Sequence, residues 1–592
     1  MIINRINDAI DVEYDAKNQD IDGLKELPLE ERVVKGDTIT NSKASFIALR
    51  TQNDSLHFKA VNIKCTEENL SKFREGTSVV LSKGSYQFEL NVEKDNGQEM
   101  VLKSGYHTYS VFAGEQSSTG WQLNPAKVDI RHIMKKTSLY LRQNPQKKEF
   151  VSNILEGELE PKYNIDRARK AEQLCEDYDL NPTQIEAFVM AFSTENYFLI
   201  QGPPGSGKTW LLAHLAQAFA DEGMKVMVTG PTHTSINNAL QKTSILRQYP
   251  HIVKVGKSYQ KTNLDYQGAN VKNFDDFRKS QYNNSSSGII VGATCYGPCT
   301  KKLEFMDWDV VIFDEAGQLT IPLAVSAMAR GTKFIFIGDH QQLPPIIPES
   351  QNDPIFSKSI FALLHKHSPG IMLDTTYRMN AKINAFPSAC FYEGRLVAHS
   401  SCASWVIEPE SDFNRHQDLL SPTQPEVLFL HSRFSNDTRS IFEAQLIAEC
   451  VNELITKGIS ASEIAIITPF RAQVRVINNF LDQAGISNGN IEMLMVDTIE
   501  RIQGQERDVV ILSFGTSNPM KANQRAAFFY NDKRFNVALT RARKKRIVIA
   551  HHEIFSPPEV PENLKHLVEV FQTFKDRAFV IEEWNDVGEG LF

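Results

Sequence analysis

The sequence predicts an α/β protein: two tandem parallel-sheet domains behind a small antiparallel β unit and a helical connection. Three observations carry this. From Leu180 onward short apolar strands at 197–200, 225–228, 310–313 and 334–337 alternate with helical segments. A second such series follows at 427–430, 464–467, 493–496, 509–513 and 547–549, with an amphipathic stretch at 441–455 between its first two members. The N-terminal residues instead alternate with a period of two. Residues 85–92 run into the turn signal Asp95-Asn96-Gly97 and then a strand-like run at 98–103.

Taken in order, residues 1–125 are expected to form a β-rich, barrel-like accessory domain, with strands at 45–50 and 56–63 besides those above. Residues 126–179 are the helical connection, interrupted at Asn144-Pro145. Residues 180–345 make the first parallel-sheet domain, with a short insertion at about 241–288 that includes a loop-like polar run at 283–288, and 346–592 make the second. A chain of 592 residues exceeds a single core, which agrees with several packed units.

Bulk composition excludes some classes. With 41% hydrophobic and 23% charged residues, the chain reads as an ordinary globular protein. No apolar run is long enough to span a membrane, and the first residues lack a basic start followed by an apolar stretch, so the expected location is cytoplasmic. The seven cysteines lack zinc-site spacing. A cluster of Cys295, Cys299, Cys390 and Cys402 is conceivable, but small buried hydrophobes are the commoner outcome. The net charge of −8 leaves room for a local basic groove on nucleic acid.

Gly202-Pro203-Pro204-Gly205-Ser206-Gly207-Lys208-Thr209 is a P-loop, preceded by a strand and followed by a helical run. Its glycines turn backbone N–H groups toward phosphates at a helix N-terminus; Lys208 reaches the β/γ oxygens of ATP and Thr209 holds Mg²⁺. Four apolar residues, 310–313, carry Asp314 to the end of another strand, where it can hold the metal shell while Glu315 polarises a water. An acidic pair that merely opens a helix is the bland alternative, disfavoured by the P-loop upstream.

The downstream motifs narrow the class. Gly338-Asp339-His340-Gln341-Gln342-Leu343-Pro344-Pro345 resembles motif III of superfamily 1 helicases. Thr376-Tyr377-Arg378-Met379-Asn380 resembles motif IV, and residues 535–543, with Arg541, resemble motif VI. Residues 496–506 resemble motif V, Pro231-Thr232-His233-Thr234 motif Ia, and Val291-Gly292-Ala293-Thr294 motif Ic. Thr468-Pro469-Phe470-Arg471-Ala472-Gln473 is similar to the block before motif V, and Asn181-Pro182-Thr183-Gln184 to the Q motif. Over about 180–550 the series resembles the superfamily 1B group that includes the nonsense-mediated-decay helicase and replication-associated nuclease–helicases.

That resemblance implies two RecA-like domains with ATP and Mg²⁺ between them. It places Gln184 on adenine, Tyr377 on the base face, and Glu506 at the ribose. Gln342, Arg378 and Arg541 face the γ-phosphate. Pro231, Thr232, Thr294, Thr468 and Thr498 line a single-strand track, with a cap or turn residue as the lesser alternative for each threonine. Both arginines lie in the same chain as the P-loop, so one polypeptide can complete its own site, as a monomeric motor would. The resemblance also implies 5′→3′ movement, and the His233 form of motif Ia favours DNA over RNA. The N-terminal unit corresponds to the family's small barrel and is a candidate surface for protein partners. A nuclease domain such as some relatives carry is not expected within this chain. The basic run from Arg541 to Arg546 reads, beyond Arg541, as track contacts or a solvated surface. Two other readings stay open: an ATP-controlled nucleic-acid clamp or remodeller that does not unwind, and a P-loop switch acting on protein partners.

Overall fold

The computed structural model describes residues 2–34, 36–66, 71, 73, 76–95, 99–105, 107–127, 129–247, 251–256, 264–266, 269–282, 288–348, 350–435, 438–486, 494–502, 504–517 and 529–583. The predicted turn Asn96-Gly97, residues 283–287 of the polar run, and Gln503 of the motif V stretch lie outside them. The chain forms two units, Met1–Pro145 with Ile347–Ser357, and Gln146–Ile346 with Lys358–Phe592.

In the first unit, strands β1 (Ile39–Gln52), β2 (Ser55–Lys64), β3 (Ser78–Lys83), β4 (Tyr86–Asp95), β5 (Glu99–Lys103), β6 (Tyr109–Phe112) and β7 (Ser117–Pro125) are antiparallel. Six of them close in the order β1-β7-β3-β4-β5-β2, with β2 returning to β1, and β6 extends β2. Alternate residues point inward: Phe58, Leu81, Phe88, Leu90, Leu102, Trp121 and Leu123 fill the barrel. The sequence reading missed the 21-residue helix Ile6–Glu26 ahead of the barrel. Its buried Ile6, Ile10, Tyr14 and Ile21 recur at helical spacing. Helix Arg131–Gln143 pairs with it through Arg131–Asp15 (2.8 Å) and Lys135–Asp11 (2.6 Å), and so belongs to this unit rather than to a separate connection over 126–179.

The second unit holds two wholly parallel sheets. The first contains β8 (Tyr197–Gln201), β9 (Lys225–Thr229), β10 (Ile252–Val255), β11 (Lys272–Phe274), β12 (Ile289–Gly292), β13 (Trp308–Phe313), β14 (Gly331–Gly338) and β15 (Ile371–Met372). Their order is β11-β10-β12-β9-β13-β14-β8-β15. The second contains β16 (Glu426–His431), β17 (Ile464–Thr468), β18 (Met495–Thr498), β19 (Arg507–Ser513), β20 (Ala542–His551) and β21 (Phe579–Glu583), ordered β18-β17-β19-β20-β16-β21. Helices cover both faces, which is why strands such as β8 and β17 are buried at every position.

Two boundaries differ from the sequence reading. The supposed insertion at 241–288 contributes β10 and β11 to the edge of the first sheet. That sheet also ends beyond residue 345, because β15 pairs with β8. Adjacent strands β9, β13, β14 and β8 end in register: Phe313 lies opposite Thr229 and Phe336, and Gln201 opposite Gly338. The P-loop, Asp314 and Asp339 therefore leave the sheet side by side at its carboxyl edge.

Candidate active site

The P-loop is tied to its neighbour strand by the Gly202 N–H donating to the Gly338 carbonyl (2.9 Å). Gly205 and Gly207 have φ of 74° and 77°, a conformation only glycine adopts without strain. A Cβ on Gly207 would stand 2.5 Å from Gln184 Nε2, and one on Gly205 would strike Arg378 and Thr376. Helix Lys208–Asp221 starts directly after. The Ser206 hydroxyl is buried without a hydrogen-bond partner. An orphaned donor among glycines at a helix N-terminus fits a phosphate chain, and Thr209 with Asp314 supplies hard oxygens suited to Mg²⁺.

Asp314 is buried, its Oδ1 accepting from the Glu315 N–H (3.0 Å). Burial, and then the Glu315 charge beside it, raise its carboxyl above the usual range. Glu315 sits at φ 51°, a strained conformation that costs on the order of 1–3 kcal/mol and is concentrated at functional sites. Burial would raise its pKa too, but the nearby Lys208 and Arg541 charges outweigh that and hold it low. Lys208 Nζ lies 2.7 Å from Glu315 Oε1.

The segment following the first sheet closes over the loop. Thr376 Oγ1 donates to the Pro204 carbonyl and the Tyr377 N–H to the Gly205 carbonyl, both at 2.9 Å. Arg378 Nε donates to Glu506 (2.5 Å) and its Nη1 to the Thr540 carbonyl (3.1 Å). Glu506 is thus spent on an arginine here. Arg541 is 2% exposed; it donates to the carbonyls of Val537 (2.8 Å) and Gln505 (3.3 Å) and to Gln342 Oε1 (3.4 Å). The structure therefore brings Lys208, Asp314, Glu315, Gln342, Arg378 and Arg541 to one cleft.

Gln184 is placed differently from a residue facing a base. It is 3% exposed, its Oε1 caps Asn181 N–H (3.0 Å), and its Nε2 donates to the Ser206 carbonyl (3.0 Å). It braces the P-loop, closing a capping box at helix Pro182–Ser193. Tyr377 does face that side: its hydroxyl accepts from Asn181 Nδ2 (3.0 Å), and its ring lies 4.6 Å from that of His399, a neighbour no sequence motif marked.

The track residues divide. Pro231, Thr232 and Thr294 stand beyond the carboxyl ends of β9 and β12, Thr232 exposed and capping Ser235 N–H (3.1 Å). Thr468 and Thr498 face each other in register at the ends of β17 and β18, but both side chains are buried. Every member of the basic run has a partner within the fold. Arg543 and Lys544 pair with Asp508 at 2.6 and 3.0 Å. Lys545 donates to the carbonyls of Ser421 (2.9 Å) and Gln424 (2.6 Å), and Arg546 pairs with Glu426. These are strand residues of β20 whose heads turn back to carbonyls and carboxylates, Lys545 and Arg546 buried, Arg543 and Lys544 partly exposed. The cysteines are free, and among the described residues Cys295, Cys299, Cys390 and Cys402 do not converge on one point. Nor, among those residues, is any helix long and apolar enough to cross a membrane.

Two families described as AAA domain match the chain, AAA_30 over residues 179–386 and AAA_12 over 356–553. The DNA replication ATP-dependent helicase/nuclease DNA2 of Saccharomyces cerevisiae is 30% identical over 450 residues, covering 69% of this chain and 28% of its own. JHS1 of Arabidopsis thaliana, with the same description, is 27% identical, covering 64% and 29%, and DNA2 of Homo sapiens is 28% identical, covering 62% and 37%. The chain thus spans about a third of the length of these relatives. Arterivirus nonstructural protein 10, a helicase, superposes at a TM-score of 0.39 with 16% identity, covering 92% of this chain and 82% of its own. The two domain matches overlap at residues 356–386 and together enclose the cleft motifs in order, and so the chain belongs to the superfamily 1B helicases.

Proposed function

We propose that this chain is an ATP-driven motor on single-stranded nucleic acid, DNA in preference to RNA, moving 5′→3′ as a monomer. The observation that carries the reading is the meeting of Lys208, Glu315 and Gln342, from the first sheet, with Arg541 in one cleft of a single chain. The preference for DNA rests on the relatives being DNA replication helicase/nucleases.

Lys208 cannot hold Glu315 and a phosphate at full strength together. As Lys208 turns to the β/γ oxygens of ATP, the Glu315 carboxylate is released to accept a proton from water. Thr209 and Asp314 would hold Mg²⁺, which would neutralise charge on the phosphates. Arg541 and Arg378, lying on the other side of the cleft, meet the charge that develops on the γ-phosphoryl group. Since Arg541 hangs from the loop between helix Asp532–Leu539 and β20, its engagement pulls the second sheet toward the first, and hydrolysis lets it go. Tyr377 supplies a face for the base, while Gln184 acts through the loop it braces. Pro231, Thr232, Thr294 and the strand ends at Thr468 and Thr498 contact sugar and phosphate, which suits sequence-independent stepping.

Steady-state ATPase of the full chain, titrated with single-stranded DNA and separately with RNA, tests this, with Lys208→Ala as control. Stimulation by DNA that the variant abolishes is expected. Hydrolysis indifferent to both polymers would overturn the motor reading and favour a switch acting on proteins. Stimulation without strand separation would favour a clamp.

A further inference from the structure

Tyr392, one residue past helix Ala381–Phe391, belongs to none of the motifs above, yet it is 1% exposed and meets both halves of the cleft. Its hydroxyl donates to Asp339 Oδ2 (2.7 Å) and accepts from Asn536 Nδ2 (3.0 Å). Asp339 follows β14; Asn536 sits on helix Asp532–Leu539, one residue before the Val537 carbonyl that holds Arg541 Nε. Asn536 Nδ2 also donates to the Gln341 carbonyl (2.9 Å).

The Asp339 carboxylate is fully used. Oδ1 accepts from Gln201 Nε2 (3.2 Å) and the Gln341 N–H (3.1 Å), and Oδ2 from Gln342 Nε2 (2.9 Å) and Tyr392. A carboxylate only accepts, so Gln342 must turn its NH₂ to Asp339 and its oxygen to Arg541. Asn536 offers its NH₂, a donor. Bridging an acceptor and a donor requires a group that both gives and takes a hydrogen bond. A phenol does this and a phenylalanine ring does not. Apart from Asn536 Oδ1, which is buried without a partner, every polar atom of this network is engaged, and such a network holds one geometry firmly.

We infer that Tyr392 is a positioning residue: through Asp339 and Asn536 it fixes the Gln342 amide against Arg541, so that the γ-phosphate-facing groups of the two sheets move as one. The inference rests on the motor reading above, and failure of the two can be told apart. Tyr392→Phe keeps the ring and loses only the bridge. Its polymer-stimulated kcat is expected to fall by about tenfold, on the scale of one or two missing buried hydrogen bonds. KM for ATP should stay within about twofold of wild type, since Tyr392 touches no substrate. Combined with Gln342→Ala, it should add little further loss, because the two act through one pair. Asn536→Asp, which puts an acceptor where a donor stood, should lower kcat likewise and serves if the Tyr392 variant folds poorly. An unchanged kcat in both variants, a loss that adds in full to that of Gln342→Ala, or a rise in KM matching the fall in kcat would each overturn the assignment. If wild type shows no stimulation by either polymer, the motor reading fails, and the Tyr392 comparison is read on basal turnover instead.

Discussion

The two parallel sheets of the second unit use charge in opposite ways. The first carries its functional charge just beyond its strand ends: Lys208 after β8, Asp314 and Glu315 after β13, Asp339 after β14. Its strand interiors hold only isolated buried charges, Lys254 in β10 and Lys333 in β14. The second sheet lends Arg541 from the loop before β20 and then threads a basic run, Arg543 to Arg546, into β20 itself. The difference teaches that a charged residue's role follows from whether its head leaves the sheet or turns back into it. At a strand end the head meets the cleft. Along a strand it must find a carbonyl or a carboxylate nearby, and all four do.

The sharpest way to break this contrast is to remove the groups that leave the sheets. Glu315→Gln should lower ATPase kcat by about 10²–10⁴-fold, the range for a missing general base, with ATP binding retained. Arg541→Ala should cost on the order of 10³-fold or more, as an arginine that stabilises phosphoryl charge does. Single-turnover hydrolysis with a separate nucleotide-binding measurement checks both. A variant that keeps turnover within a few-fold would remove that residue from the cleft chemistry.

Arg546 tests the other half. It donates to the carbonyls of Leu539 (2.7 Å) and Ile383 (3.3 Å) and pairs with Glu426, all while 1% exposed. Arg546→Met leaves the Glu426 carboxylate without its cation and should destabilise the fold by about 3–5 kcal/mol. Urea titration measures this. A loss under about 1 kcal/mol would mean that Glu426 finds water or another partner, and the buried run would lose its strongest member.

The same contrast explains what was legible in the sequence. Motif residues at strand ends were readable because phosphate and metal chemistry fixes their spacing, so the P-loop, Asp314, Glu315, Gln342, Arg378 and Arg541 all reach one cleft. The destinations of Arg543 to Arg546 were not readable, because their partners Asp508, Glu463, Glu426 and the carbonyls of 421 and 424 come from distant sequence. The contact of Gln184 was not readable for a related reason: its neighbour is the P-loop carbonyl of Ser206, which only packing brings to it. Tyr392 lacked any local signal. The barrel's alternation was plain, whereas helix Ile6–Glu26, which carries many acids, hid its sparse apolar stripe.

Lys545 adds a pH handle. Burial, with only carbonyls for partners, pushes its ammonium down to about 7. In the unfolded chain a lysine keeps its proton to about 10.4. Between these values the unfolded state binds more protons, so stability rises with pH, and below about 7 the full cost of burying the charge is felt. Wild type should therefore gain about 2 kcal/mol relative to Lys545→Met between pH 7 and 9.5, less than the full value of about 1.4 kcal/mol per pKa unit because local relaxation and water relieve part of the burial. Denaturant unfolding of both proteins at the two pH values reads the difference, in which the other titrating groups cancel. A flat difference would show that Lys545 keeps an ordinary pKa.

The smallest expected effect separates the two roles most cleanly. Arg543 and Lys544 are roughly a quarter exposed and share Asp508, and Arg543 also reaches Glu463. Partly exposed ion pairs of this kind contribute roughly 0–1 kcal/mol, so Arg543→Ala should shift stability by less than about 1 kcal/mol. What decides the role is the salt dependence of single-strand binding. Removing a cation that neutralises one phosphate lowers the slope of log affinity against log salt by roughly 0.7 on a single strand. With its guanidinium held by two carboxylates, Arg543 faces no phosphate, and the slope should be unchanged. A slope lowered by that amount in Arg543→Ala, with the fold intact, would move this residue from the ion pairs of β20 back to the track.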